Sequence, residues 1–110
     1  PDDPMNPETC GIRIAGEGAT VTGNTCSGNY IGIGADKGST ITGNTCGNNV
    51  GSYGIYVMSG STVIGNTCSG NTGTGIYLMG NSLVDQNTAY DNETNMENFF
   101  PCTFGTNYAP

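Results

Sequence analysis

The chain has 110 residues, enough for one domain, and half of them are Gly, Asn, Thr or Ser. Its net charge is -7 and its only cations are Arg13 and Lys37, which argues against nucleic acid or an anionic membrane surface as a partner. No apolar run approaches the ~18 residues of a membrane span, so membrane insertion is not expected. Low charge, abundant Thr and Ser and a single lysine favour an extracellular or cell-surface location.

The chain begins with an acidic, proline-rich segment and then becomes repetitive. Residues 1–9 hold three prolines and three acidic residues, which predicts an extended N-terminal arm. The word Gly-Asn-Thr-Cys then occurs three times and is followed by a decayed copy, Gln-Asn-Thr-Ala. Its asparagines are 20, 22 and 21 residues apart: Asn24, Asn44, Asn66 and Asn87. This period predicts a repeat architecture with units at about residues 10–29, 30–52, 53–73 and 74–94.

Each unit contains three short segments in which apolar residues alternate with polar ones, the period-two pattern of β-strands. Gly, Asn and Ser separate these segments, as turns require. Such short strands, recurring every 20 to 22 residues, match the coils of a solenoid in which each coil pairs with the next about 4.8 Å away. We therefore predict an all-β fold: a short right-handed parallel β-helix (β-solenoid) of four to five coils.

The last segment, residues 95–110, leaves the repeat. It contains all three phenylalanines of the chain: Phe99, Phe100 and Phe104. A solenoid end exposes unpaired strand edges and an apolar cross-section, so it needs a cover. We predict an irregular aromatic C-terminal cap or docking segment, with the phenylalanines either covering the last coil or forming a subunit interface.

The pattern Gly-Ile-Tyr-(Val/Leu) followed by Ser-Thr-Val-Ile-Gly-Asn-Thr-Cys-Ser-Gly-Asn resembles the right-handed parallel β-helix repeats of the pectate-lyase-like superfamily. It is similar in particular to the Gly/Asn-rich repeats of secreted bacterial and archaeal proteins, over residues 10–94. The resemblance implies the fold, while the scaffold hosts lyases, hydrolases, adhesins and structural proteins. Lyases of this superfamily use a basic proton abstractor, commonly with carboxylate-held calcium, and its hydrolases use grouped aspartates.

No such catalytic group is present in this chain. It has no histidine, its two cations fall in different parts of consecutive coils, and Asp36 and Asp85 are two coils apart. We therefore predict no catalytic residue, no metal site and no cofactor, and we expect that the protein is not an enzyme.

Two repeated columns are predicted to be structural. The asparagines form a ladder in which each side-chain amide bonds the next one along the stack. Three cysteines are predicted to point inward as small buried thiols: Cys26, Cys46 and Cys68. A metal is not expected there, because no histidine or fourth thiolate completes a tetrahedral site. Cys10 and Cys102 lie near opposite ends and are candidates for a bridge within one chain or between neighbouring chains.

The threonines and one sequon are candidate modification sites. Thr25, Thr45 and Thr67 should face outward, where they are candidates for O-linked sugars, and Asn92 lies in the one standard N-glycosylation sequon. A second outward column is predicted from four residues: Thr20, Thr40, Thr62 and Ser82. With Thr22 and Thr42 beside it, this column resembles the flat Thr-x-Thr surface of ice-binding β-solenoids, although the array stops after two coils.

Tyr56 and Tyr77 occupy equivalent outward positions, where they either pair across coils or hold a sugar ring. The composition and fold favour a structural or surface β-solenoid subunit that assembles end to end with itself into a fibre. One alternative is a carbohydrate-binding or adhesive module of a larger carbohydrate-active protein. The second alternative is an ice-binding β-solenoid.

Overall fold

A computed structural model describes residues 10–110. The predicted arm, residues 1–9, lies outside this part of the chain. The described part contains fourteen short strands: β1 (Cys10–Ile14), β2 (Thr20–Thr22), β3 (Thr25–Ser27), β4 (Ile31–Ala35), β5 (Thr40–Thr42), β6 (Thr45–Gly47), β7 (Tyr53–Val57), β8 (Thr62–Ile64), β9 (Thr67–Ser69), β10 (Thr74–Leu78), β11 (Leu83–Asp85), β12 (Thr88–Tyr90), β13 (Thr94–Asn98) and β14 (Thr103–Phe104). Residues 10–110 form no helix, and so none that is long and apolar enough to cross a membrane.

Strands from equivalent positions of successive coils pair in parallel, which generates three sheets. Sheet A is β1-β4-β7-β10-β13, sheet B is β2-β5-β8-β11-β14, and sheet C is β3-β6-β9-β12. Tyr108 extends sheet C through a parallel bridge to Thr88. The chain is therefore an all-β parallel solenoid of about five turns, which confirms the predicted fold class.

The fifth turn is more regular than the sequence indicated. Residues 95–110 were expected to form an irregular cap, yet β13 and β14 pair in register with β10 and β11 of the fourth coil. The backbone N–H of Tyr108 also donates to the carbonyl of Asn87 at 2.9 Å. The edge strands of the fourth coil thus supply hydrogen-bond partners for residues 95–110, even though residues 95–110 lack the repeated Gly-Asn-Thr-Cys motif.

Each of the first four coils turns at three corners, and each corner uses a residue with left-handed backbone geometry. These positions have positive φ and are mostly glycine: Gly18, Gly23, Gly28, Gly38, Gly43, Gly60, Gly65 and Gly70. Asn48, Asn81, Gln86 and Asp91 take the same role elsewhere. Left-handed geometry costs glycine little, and Asn and Asp tolerate it better than most residues. This requirement explains why glycine recurs at the corners of the coils.

Columns of equivalent side chains fill the interior. Ile33, Ile55 and Ile76 stack on sheet A and are fully buried. Sheet B contributes a second aliphatic column, Val21, Ile41, Val63 and Val84. Sheet C contributes the cysteines. Each coil alone has too little apolar surface to form a core, so the coils are stable only as a stack.

One glycine column is required for space rather than for backbone geometry. A Cβ built on Gly54 would lie 2.7 Å from the carbonyl oxygen of Gly75 and 2.8 Å from Nδ2 of Asn71. A Cβ built on any of three equivalent glycines would also meet an asparagine Nδ2 and a backbone carbonyl of the following coil: Gly11, Gly32 and Gly75. In these coils the backbone therefore packs directly against the side chains at the corner between sheets C and A.

Candidate functional site

The predicted asparagine ladder runs along the corner between sheets B and C. The backbone N–H and Nδ2 of Asn44 both donate to Oδ1 of Asn66, at 2.9 and 3.0 Å. The same pair of bonds joins Asn24 to Asn44 and Asn66 to Asn87. The ladder also has a fifth rung that we did not predict, Asn107, whose Oδ1 accepts both bonds from Asn87. Between the rungs, each asparagine from Asn24 to Asn87 therefore donates to the rung on its C-terminal side, and each from Asn44 to Asn107 accepts from the rung on its N-terminal side.

This polarity leaves different groups at the two ends of the ladder. Oδ1 of Asn24 accepts no hydrogen bond within residues 10–110, because no coil precedes it there. The backbone N–H of Asn107 donates none within the same residues. One end therefore presents an acceptor, and the other end presents a donor.

A second asparagine ladder was missed from the sequence. It follows the corner between sheets C and A and comprises Asn29, Asn49, Asn71 and Asn92. Unlike the first ladder it is closed at its C-terminal end. Oδ1 of Asn95 accepts both bonds from Asn92, and Nδ2 of Asn95 donates to the carbonyl of Pro110 at 2.7 Å. The signal was present in the sequence, because each rung follows a residue that tolerates positive φ.

The predicted glycan acceptor Asn92 is a rung of this second ladder. Its Nδ2 donates to the carbonyl of Cys68 at 2.9 Å and to Oδ1 of Asn95 at 3.1 Å. An N-linked sugar would replace one of the two hydrogens on this nitrogen. Glycosylation stays a prediction, and it would remove one of these bonds. Thr25, Thr45 and Thr67 face outward in one column of sheet C, and the first two are exposed.

The third corner contains a serine ladder, which corrects one of our predicted columns. The backbone N–H of Ser39 donates to Oγ of Ser61, and that of Ser61 donates to Oγ of Ser82. All three serines are buried. Leu83, rather than Ser82, continues the column of Thr40 and Thr62. The outward Thr-x-Thr array is accordingly limited to the first two coils, where Thr42 donates to Thr22 at 3.2 Å between hydroxyl oxygens.

Cys26, Cys46 and Cys68 stack in register on the inner side of sheet C, and Ala89 continues the column. All are buried. Burial and the neighbouring Cys46 raise the pKa of Cys26 to about 11. A hydrogen bond with Cys68, together with burial, raises the pKa of Cys46 as well. These two thiols are therefore protonated at neutral pH, the form that neither attacks electrophiles nor binds metals.

The stability of the solenoid is expected to fall as pH rises above about 9. An ordinary thiol has a pKa of 9.0, while that of Cys26 is about 11, so the unfolded chain loses protons first and is favoured in this range. Urea unfolding at pH 7 and at pH 10 measures the effect. Cys46→Ala should weaken the pH dependence, and Ala89 in the same column indicates that alanine is tolerated. An unchanged pH dependence in this variant would contradict the role of the thiols.

Cys10 and Cys102 are too far apart for the bridge that we considered within one chain. Cys10 lies in β1 of the first coil, and Cys102 precedes β14 in the fifth. Four coil spacings amount to about 19 Å, whereas a disulfide needs Cα atoms within about 7 Å. The two residues also belong to different parts of the cross-section, since β1 is in sheet A and β14 is in sheet B. A bridge between neighbouring chains stays a prediction.

Tyr56 and Tyr77 stack on the outer side of sheet A, with ring centroids 5.4 Å apart and an interplanar angle of 3°. Tyr53, which we did not single out, completes a three-ring cluster at 4.9 and 5.0 Å from them. Burial raises the pKa of Tyr53 and of Tyr56, with a further contribution from Tyr77. Because the Tyr56 and Tyr77 rings stack, each covers one face of the other. A ligand could therefore contact mainly the ring edges and the two faces that point away from the stack.

The fifth coil holds four of the seven large apolar residues that are exposed in residues 10–110. Phe99, Phe100 and Tyr108 are 63%, 55% and 61% exposed, and the Phe99 and Phe100 rings contact edge to face at 4.6 Å between centroids. Tyr108 pairs with Thr88, which continues the outward threonine column of sheet C, so it lies on the side of the solenoid. Phe104 pairs with Val84 and so continues the interior column of sheet B, yet it is 45% exposed because no coil follows it in the structure. The phenylalanines therefore lie in the last coil of the solenoid and remain about half exposed, and their role in a subunit interface stays a prediction.

Among residues 10–110, no group of three or more His, Cys, Asp or Glu side chains is arranged to hold a metal ion. The three sheets, the ladders and the stacked core define the molecule as a parallel β-solenoid. Residues 6–106 match the family model described as "Right handed beta helix region", and the chain belongs to this family. The family includes both enzymes and non-enzymes. Neither a curated protein nor a solved structure matches the chain.

Proposed function

We propose that this protein is a structural β-solenoid subunit that assembles end to end with other copies of itself, outside the cell or at its surface, without catalytic activity. The observation behind the proposal is the exposure of Phe104, which continues the interior column of sheet B into the fifth coil, together with the other large apolar residues exposed in the last two coils. Of the seven large apolar residues exposed in residues 10–110, only Val50 lies away from the last two coils. Water contact with an apolar patch of this kind is unfavourable, and such patches commonly mark interaction sites.

The strand edges support the same proposal. Within residues 10–110, β13 and β14 are paired with strands on one side only, so their other edges have backbone N–H and C=O groups that no described strand pairs with. Strands of a second copy can pair with these groups. A contact between two different faces of the same molecule is heterologous, and repetition of such a contact builds an open filament unless rotation closes a ring.

Electron microscopy and concentration-dependent sedimentation of the full chain test this function. We expect filaments with an axial repeat of about 24 Å, which is five coils at about 4.8 Å each. The double variant Phe99→Asp/Phe100→Asp should abolish them, whereas Val50→Asp changes an equally exposed apolar residue far from the fifth coil and should not. A wild-type chain that stays monomeric at high concentration would contradict the proposal.

A second candidate function is carbohydrate binding at the tyrosine cluster, favoured by the additional ring of Tyr53. Tyr56→Ala and Tyr77→Ala should then reduce binding in a glycan screen while filament formation is unaffected. Binding that is unchanged in both variants would argue against this site.

A further inference from the structure

We infer that the end-to-end contact is polar: the fifth coil of one copy docks on the first coil of a second copy, so that the ladder and the sheets continue in register across the junction. This inference rests on the proposed function and names the face and register through which it operates. Two independent features of residues 10–110 favour this arrangement over a symmetric one.

The first feature is a column of charge on the outer side of sheet A. Strand pairing places five residues in one line along the solenoid: Arg13, Gly34, Tyr56, Tyr77 and Glu97. The line begins with one of the two cations of the chain and ends with a carboxylate. Continuing the coil spacing across a junction brings Glu97 of one copy to within about 5 Å of the Arg13 backbone of the next.

Symmetric contacts would bring like charges together. Joining two fifth coils places Glu97 near Glu97, and joining two first coils places Arg13 near Arg13. Opposite charges at a contact select the correct partner and register, whereas like charges in the same place oppose association. The charge column therefore favours the polar contact.

The side chains at both ends of this column are suitable for pairing. Glu97 is exposed, and its carboxylate accepts a hydrogen bond from the Thr74 hydroxyl at 3.2 Å. A carboxylate can accept about four hydrogen bonds, so it can also accept from a guanidinium. Arg13 donates to the carbonyl of Ile14 through one nitrogen, and a guanidinium has five N–H groups with which it can hold several partners at once.

The second feature is the polarity of the first asparagine ladder. The fifth coil ends with the backbone N–H of Asn107, and the first coil begins with Oδ1 of Asn24. Within residues 10–110 that N–H donates no hydrogen bond and that oxygen accepts none. Only the polar contact matches this donor with this acceptor. In a contact between two fifth coils, two donors would face each other.

Charge reversal tests the inference. Glu97→Arg places a cation at both ends of the column, and Arg13→Glu places an anion at both ends. We expect each variant alone to raise the concentration needed for filament formation at least tenfold at low salt. Mixed in equal amounts, the two variants should assemble again into alternating filaments, because each junction then joins opposite charges. Lys37→Glu is the control for Arg13→Glu, because it makes the same change of −2 in charge at an exposed site outside the column.

The outcomes separate the inference from the proposed function. Single variants that assemble like the wild type would overturn the polar register while filament formation itself stands. A mixture that yields only dimers would also overturn it, because the arginine introduced by Glu97→Arg would then pair with the unchanged Glu97 of the other variant across a closed contact between two fifth coils. Absence of filaments in the wild type would overturn both. Recovery in the mixture also demonstrates that each variant folds.

Discussion

Replacing Asn66 by alanine is expected to destabilise the fold by roughly 3–5 kcal/mol, because buried polar groups that lose their partners cost about 1–3 kcal/mol each. Asn66 is 1% exposed. The change removes the acceptor for both donors of Asn44 and the donor to the carbonyl of Ile41 at 2.9 Å. It also removes the Nδ2 bond to Asn87. Urea unfolding followed by circular dichroism measures the loss.

The first rung of the same ladder supplies the control. Asn24 is only partly buried, and its Oδ1 accepts no bond within residues 10–110, so Asn24→Ala should cost about 1 kcal/mol. Asn66→Asp keeps the shape but replaces the donor with a charged acceptor, and it should be at least as harmful as alanine. If Asn24→Ala and Asn66→Ala lowered the free energy of unfolding by the same amount, the contribution of a rung to stability would not depend on its burial.

A methyl group at Gly54 should cost about 3 kcal/mol, the upper part of the usual range for overpacking. The new Cβ would meet the carbonyl of Gly75 at 2.7 Å and the amide of Asn71 at 2.8 Å. The first is backbone of the next coil, and the second is fixed in a ladder, so neither can move without breaking hydrogen bonds. Thermal unfolding of Gly54→Ala should show a clearly lower midpoint.

Gly16→Ala is the matched control for this prediction. Gly16 is exposed, has no atom within 4 Å of a built Cβ and does not have positive φ. We expect a change within about 0.5 kcal/mol, as for most surface substitutions. If Gly54→Ala were as mild as this control, the close packing between the glycine column and the second ladder would be refuted.

Much of the fold could be predicted from the sequence because one corner of the coil is marked by a repeated four-residue motif, Gly-Asn-Thr-Cys. Asn24, Asn44, Asn66 and Asn87 follow the same spacing as the aliphatic column before them, so coil length and strand positions could be inferred together. The fifth coil was harder to predict because Thr106 precedes its rung Asn107, where earlier coils have glycine or glutamine. Its strands form on the edge of the fourth coil, which is a tertiary effect that local sequence does not encode.

The other two corners were missed because their residues vary. Gly28, Asn48, Gly70 and Asp91 share only a tolerance for positive φ, so no repeated word marks the second ladder. Ser82 was assigned to an outward column because nothing in the local sequence marks Asn81 as the corner residue that corresponds to Gly60. The three phenylalanines of the fifth coil were identified from composition. Their exposure depends on where the last coil ends, which only the three-dimensional structure reveals.

The directional ladders have a consequence for how such a chain can evolve. Each inner asparagine of the first ladder accepts from the rung on one side and donates to the rung on the other, at matching corners 20 to 22 residues apart. A tandem duplication of one coil-length segment in the gene would therefore insert a turn that already complements both neighbours. No new packing solution has to be found, so the number of coils can change between descendants while the cross-section of the molecule is inherited intact.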